Sequence, residues 1–141
     1  FKWFSSIGLE EEKFRKNIYM SAVCRCYPGK NTSGTGDRVP TEVEIKKCSK
    51  WLDYEIDTLK PKLIIPVGKL AISQFIIFDK LNDVVGKKII YKKDSYKINI
   101  VALPHPSGLS TWYKKEPGKS LLYQALKIIK NEKEWKLILE K

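Results

Sequence analysis

Residues 103–112 read LPHPSGLSTW and contain His105, the only histidine of the chain. A mostly apolar run over residues 98–103 leads into it, so the histidine is predicted to follow a buried strand. Pro104 and Pro106 hold the backbone φ on both sides of His105 near about −65°, which makes the turn stiff. Stiff loops at the carboxyl ends of strands are where open α/β sheets bind ligands. This stretch is therefore the first candidate for a functional site.

The residues after the histidine add binding chemistry. Ser107 supplies a hydroxyl, Gly108 lets the backbone approach a ligand closely, and Leu109 places a large apolar side chain on a loop. Alternatively, His105 only caps the strand and Leu109 packs beneath the loop, which is the commoner outcome for an isolated His-Pro pair. The length of the whole run favours the functional interpretation.

The composition predicts one globular domain over residues 1–141. At 16.3 kDa and 43% hydrophobic residues the chain can bury a single core. No apolar run approaches the ~20 residues of a membrane span, so we expect no interaction with a membrane. The formal net charge of +11 reflects either solvated lysines or a polyanionic partner such as nucleic acid.

Hydrophobic periodicity and turn residues predict alternating strands and helices, which is typical of an α/β domain with a parallel sheet. Thr41 and Glu44 form a capping box at the start of the clearest helix. The predicted elements are a helix ending at Gly8, a charged connection over residues 9–16, a strand over 17–24, a loop over 26–40, a helix over 41–59, a strand over 63–67, a helix over 70–78, a hairpin of 89–91 and 96–103, and a helix over 120–140.

Gly68 and Lys69 lie where a predicted strand turns into a helix. The N–H groups of a helix start, together with a lysine, suit an anion. A tight turn with a solvated lysine explains the same two residues equally well.

The three cysteines, Cys24, Cys26 and Cys48, argue against a disulfide scaffold. Their odd number and the lack of a secretory signal indicate a reducing cytoplasm. They could also be part of a metal site that lacks a ligand.

Four stretches follow the order of the uracil-DNA glycosylase superfamily. Residues 105–110 (HPSGLS) resemble its His-Pro-Ser-x-Leu-Ser motif, and residues 20–26 (MSAVCRC) its second-strand segment. Residues 60–68 are similar to its Arg-Pro-Lys strand and glycine turn, and residues 26–29 with Cys48 resemble the iron-sulfur branch that includes family 4. The resemblance implies a three-layer α/β/α fold with a central, mainly parallel sheet.

The resemblance also implies roles for individual residues. His105 would donate a hydrogen bond to O2 of uracil and stabilise the charge that forms there. Leu109 would fill the space that a flipped nucleotide leaves in the duplex, and Ser21, where many members have Asn, would contact the base. The implied DNA-binding residues are Gly68, Lys69, Ser107, Gly108, Leu109 and Ser110.

Cys26 and Cys48 match two of the four thiolate ligands of a [4Fe-4S] cluster in this family. Cys24 is expected to pack instead. The Cys-x-x-Cys pair that would complete the cluster and the motif that positions the attacking water have no counterpart in residues 1–141, and we expect them upstream of Phe1. The chain is thus expected to be an amino-terminally truncated glycosylase-like domain that lacks its first strand.

Two functions stay open at this point. The leading hypothesis is a DNA repair glycosylase that hydrolyses the N-glycosidic bond of uracil, or of a related deaminated base, and works as a cytoplasmic monomer. The alternative is a non-catalytic DNA-binding module that keeps the same loops. A metal-dependent hydrolase is disfavoured, because the chain has one histidine and no His/Asp cluster.

Overall fold

The structure of the protein is a computed structural model that describes residues 1–107 and 110–141. It contains two compact units. The first consists of Phe1–Tyr19 and Pro61–Lys141, and the second of Met20–Lys60. The loop around His105 belongs to the first unit, and the three cysteines belong to the second.

A small mixed sheet organises the first unit. The described strands are β1 (Leu63–Ile64), β2 (Ile89–Lys93) and β3 (Tyr96–Ile100), in the spatial order β1-β3-β2. β1 runs parallel to β3, whereas β2 runs antiparallel to β3 and forms the predicted hairpin with it. The α/β class and the hairpin are therefore confirmed.

The first strand is shorter than predicted. Its regular ladder ends at Ile64, since Pro66 two residues later has no N–H to donate. The parallel pairing still reaches Val67 and Leu103, because the Leu103 N–H donates to the Pro66 carbonyl oxygen at 3.0 Å. The loops that follow these two segments consequently start side by side.

Helices enclose the core of the first unit. Trp135 is fully buried, and its indole N–H donates to the Ile7 carbonyl oxygen at 3.4 Å. No helix among the described residues is long and apolar enough to span a membrane. The helices of both units are α1 (Lys2–Ser5), α2 (Glu11–Asn17), α3 (Glu42–Leu59, in the second unit), α4 (Lys69–Ser73), α5 (Leu81–Val84), α6 (Gly118–Asn131) and α7 (Lys133–Glu140), with a 3-10 helix at Trp112–Lys114.

The single helix predicted over residues 120–140 is wrong, because α6 and α7 are separated at Glu132. This residue has an extended backbone with φ −65° and ψ 140°. Its buried carboxylate accepts a hydrogen bond from the Asn99 amide at 2.8 Å and pairs with the Lys88 ammonium at 3.0 Å. A buried carboxylate requires such partners, and at this break Glu132 reaches Asn99 on β3 and Lys88 just before β2.

Helix ends differ from the prediction in a second place. α4 ends at Ser73 instead of residue 78, since the Ile72 carbonyl oxygen accepts N–H groups from both Phe75 and Ile76 and the last turn tightens. α1 also ends earlier than predicted, at Ser5 instead of Gly8; a turn over residues 6–8 follows, and the φ of +95° at Gly8 is a conformation that favours glycine.

The strand predicted over residues 17–24 is wrong. Asn17 ends α2, and residues 18–24 have no regular secondary structure. In the described part of the chain no strand pairs with them. A buried strand cannot form without a neighbour that takes up its N–H and C=O groups. Met20 and Ser21 are accordingly exposed.

The second unit is built on α3. The capping box is confirmed: Thr41 Oγ1 accepts the Glu44 N–H at 3.3 Å, and the Glu44 carboxylate accepts the Thr41 N–H at 2.7 Å. The loop over residues 26–40 is also confirmed, and its Arg38 donates two hydrogen bonds to Glu44, at 3.0 and 2.8 Å. These contacts tie the loop to the start of the helix.

Candidate functional site

Two loops meet at the carboxyl end of the parallel pair β1 and β3. One is the turn at Gly68 and Lys69, and the other begins at Pro104 and carries His105. The Gly68 N–H donates to the Leu103 carbonyl oxygen at 2.9 Å, which holds the two loops together at their start. Ligands bind at this end of a sheet in open α/β folds.

Gly68 allows the two loops to approach. A Cβ atom at this position would lie 3.3 Å from the Cδ2 and 3.4 Å from the Cβ of His105. The φ of Gly68 is +87°, which side chains of L-residues rarely adopt. The structure thus brings together two loops that the sequence indicated as separate candidate binding sites.

The His105 ring is exposed and has a defined orientation. Its Nδ1 accepts a hydrogen bond from the Ser107 backbone N–H at 3.1 Å. An Nδ1 that accepts a hydrogen bond carries no proton, so the neutral ring carries its proton on Nε2. The loop therefore presents an Nε2–H donor to the solvent side.

A backbone hydrogen bond links Ser107 to Ser110 in the described part of the His105 loop. The Ser107 carbonyl oxygen accepts the Ser110 N–H at 3.0 Å, and both residues are half-buried. Gly108 and Leu109, which the resemblance assigns to DNA binding, lie outside the described residues.

Lys69 is the first residue of α4, and its side chain is exposed. Within residues 1–107 and 110–141 it forms no ion pair. Its ammonium group is thus available to an anionic ligand next to His105.

Ser21 belongs to the second unit, where polar neighbours engage its hydroxyl. It donates to Glu55 Oε2 at 2.6 Å and accepts a hydrogen bond from Arg25 Nη2 at 3.3 Å. Arg25 and Glu55 also form an ion pair. The hydroxyl is exposed but held in one orientation by this triad.

The cysteines of the second unit interact with one another. Cys24 and Cys48 influence each other's titration, and the packing expected of Cys24 stays a prediction. The Arg25 N–H is the main reason that the pKa of Cys48 is lowered, whereas burial and the hydrogen bond to Cys48 raise the pKa of Cys24.

These residues do not fit a complete [4Fe-4S] site. Such a cluster takes four thiolates, and the chain has three cysteines. In the part of the chain that the structure describes, no group of three or more His, Cys, Asp or Glu side chains is placed to hold a metal ion. The chain alone therefore does not ligate the cluster that the resemblance implies.

Sequence reasoning missed Asn82, whose Oδ1 accepts a hydrogen bond from the Trp112 indole N–H at 2.9 Å. The contact joins the start of α5 to the segment that follows the His105 loop. Thirty residues separate the two partners, and no local pattern signals such a pair.

Comparison with known proteins gives the family of the chain. The family profile of the uracil DNA glycosylase superfamily matches residues 1–127. The chain is similar to the type-4 uracil-DNA glycosylase of Archaeoglobus fulgidus, with 29% identity over 111 residues that cover 74% of the chain and 50% of that protein. For the type-4 uracil-DNA glycosylase of Sulfurisphaera tokodaii the identity is 30% over 108 residues, 72% of the chain and 44% of that protein.

A type-5 uracil-DNA glycosylase, from Pyrobaculum aerophilum, matches over a shorter stretch, with 32% identity over 54 residues that cover 38% of the chain and 21% of that protein. The chain spans about half the length of the type-4 relatives it matches. The motif resemblance is confirmed, since the family profile covers all but the last turns of the chain. The chain belongs to the uracil DNA glycosylase superfamily.

Proposed function

We propose that this chain forms the DNA-binding and leaving-group-stabilising part of an enzyme that hydrolyses the N-glycosidic bond of uracil in DNA. The observation that carries the proposal is the oriented His105 ring, packed on Gly68 and held at Nδ1 by the Ser107 N–H. The similarity to type-4 uracil-DNA glycosylases supports the substrate.

In this reaction the bond between C1′ of the deoxyribose and N1 of uracil breaks. Its electron pair stays on the base, a water oxygen bonds to C1′, and the proton that this water loses ends on the released base. Negative charge grows on the uracil O2, to which the Nε2–H of His105 donates. A donor that is already oriented reorganises little during the reaction, and one such donor contributes roughly 3–4 kcal/mol to the barrier reduction.

The proposal assigns DNA contacts to both loops. Lys69 and the turn at Gly68 hold one phosphate, and the segment of Ser107, Gly108 and Ser110 holds another. Leu109 fills the space of the flipped nucleotide, because extrusion of a base leaves an apolar gap in the stack.

The second unit contributes base recognition and cluster ligands in this proposal. Ser21 contacts the edge of uracil through its hydroxyl. Cys26 and Cys48 are this chain's share of the ligands of a [4Fe-4S] cluster, which takes no part in the steps above. The enzyme acts as a monomer in the cytoplasm, on DNA that contains uracil.

The test is excision of uracil from a labelled oligonucleotide, followed by alkaline cleavage at abasic sites. The complete gene product and the 141-residue chain are assayed side by side, each with His105→Ala. We expect the variant to lose about 10²- to 10³-fold in excision rate with unchanged binding of undamaged DNA. Lys127→Gln, on the exposed face of α6, is the control and keeps full activity.

Two results contradict the proposal. Full activity of His105→Ala would show that the imidazole ring does not stabilise the leaving base. If neither form excises uracil while both bind DNA, the non-catalytic DNA-binding module is the correct function.

A further inference from the structure

A surface groove of about 580 Å³ lies beside the His105 loop. Lys69 lines it at the start of α4, and residues 79–82 line it ahead of and within α5. Residues 110–112, which follow the His105 loop, and Pro117 complete the wall. Apart from Lys69 and Ser110, these residues have no part in the proposed function.

Hydrogen bonds between the segments hold the shape of the groove. The Trp112 indole N–H donates to Asn82 Oδ1 at 2.9 Å, which links two of its walls. The Lys80 N–H donates to Asp83 Oδ2 at 2.9 Å and keeps the start of α5 in place. The groove therefore exists before a ligand arrives, which lowers the cost of binding.

The chemistry of the groove suits a phosphate. Lys69 and Lys80 are exposed, and neither forms an ion pair among the residues that the structure describes. Because Asn82 uses its oxygen on Trp112, its amide NH₂ group is left as a donor. Asp79 is the one carboxylate among the described lining residues.

A second groove, of about 460 Å³, differs from the first in that one of its two lysines forms an ion pair. It is lined by Lys88 and Lys127, but Lys88 is paired with the buried carboxylate of Glu132 at 3.0 Å. The positive charge of Lys88 is thus balanced by Glu132 within the protein. The two grooves have no lining residue in common.

We propose that the first groove binds the phosphodiester backbone of the DNA strand next to the extruded nucleotide, with Lys80 as its main phosphate contact and Asp79 as an opposing charge. This inference rests on the proposed function, because the His105 loop sets which part of the DNA reaches the groove. It extends the DNA-binding surface beyond the family motifs to the segment between α4 and α5.

The test measures binding of a fluorescent DNA duplex without uracil, by anisotropy, from about 50 to 200 mM salt. Lys80→Gln is expected to raise the Kd about fivefold and to reduce the slope of log K against log salt by about 0.9. Asp79→Asn is expected to lower the Kd, since it removes a charge that repels phosphate. Lys127→Gln carries the same charge change in the second groove and is expected to behave like the wild type.

The inference is overturned if Lys80→Gln and Lys127→Gln bind equally well, if Asp79→Asn does not tighten binding, or if the wild-type chain does not bind the duplex. Circular dichroism of each variant shows whether it is folded. Excision by His105→Ala is measured on the same preparations. Full excision by that variant would contradict the proposed function. The duplex measurements test the groove independently of this result.

Discussion

Gly68 and His105 lie in contact at the end of the parallel strand pair, and the contact requires glycine. The backbone of Gly68 has φ +87° and ψ 159°, and a Cβ atom there would come within 3.3 Å of the His105 ring. Only glycine adopts this conformation without strain. The position of the candidate donor is thus linked to a residue 37 positions earlier in the chain.

Gly68→Ala is expected to lower the free energy of unfolding by roughly 1–3 kcal/mol, because the backbone is strained. It is also expected to reduce uracil excision at least tenfold, since a small displacement of a catalytic group has a large effect on rate. Urea denaturation measures the first effect and the oligonucleotide assay the second.

Gly29→Ala is the matched control for this change. Gly29 has a similar φ of +95°, but a Cβ atom there would meet nothing within 4 Å. It is expected to show the stability loss without the loss of excision. Equal excision by the two variants would mean that the contact with His105 does not position the ring.

The protonation of the His105 ring can be read directly, because it is the only histidine of the chain. We expect the neutral ring of ¹⁵N-histidine-labelled protein to show a protonated Nε2 and an unprotonated Nδ1 by NMR, since the Ser107 N–H donates to Nδ1. Ser107→Ala keeps this N–H and is expected to keep the tautomer. Ser107→Pro removes this N–H and is expected to give a mixture of the two neutral tautomers. A mixture of tautomers in the wild type would contradict the assignment.

Gly118→Ala is expected to destabilise the start of α6 by about 1–3 kcal/mol, because the added Cβ atom overpacks the site. A Cβ atom at Gly118 would lie 2.1 Å from the Trp112 carbonyl oxygen, which is backbone and cannot rotate away. The measurement is urea denaturation against Lys119→Ala, an exposed neighbour in the same turn that is expected to be nearly neutral. Equal stability of the two variants would show that the 3-10 helix at Trp112–Lys114 shifts freely.

The start of α3 is expected to weaken in acid. The hydrogen bonds from Arg38, and then those from Thr41, lower the pKa of Glu44 from 4.5 to about 2. Because the folded state favours the carboxylate, this stabilisation is present above about pH 4.5 and is lost as the pH falls towards 2. Far-UV circular dichroism follows the loss of helix over this range.

Glu44→Gln is the comparison for the acid effect. It cannot be protonated, so it is expected to be less stable at neutral pH and to lack this part of the acid transition. Glu42→Gln, in the same helical turn, is expected to follow the wild type. An identical pH profile for Glu44→Gln and the wild type would contradict the role of the Arg38 contact.

Features that depend on neighbours in the chain could be predicted from the amino-acid sequence. The capping box of Thr41 and Glu44 and the hairpin of β2 and β3 were predictable, because turn and cap chemistry lies within a few residues. The run from His105 to Ser110, together with three further stretches in the family's order, indicated the family, which the profile over residues 1–127 confirms.

Features that depend on a partner distant in sequence could not be predicted in this way. Residues 17–24 have the composition of a buried strand, but a strand needs a neighbour for its backbone groups, and composition does not supply one. The break at Glu132 depends on Asn99 and Lys88, and the orientation of Trp112 depends on Asn82. The approach of Gly68 to His105 follows from the pairing of Val67 with Leu103, and local patterns carry no information on such pairing.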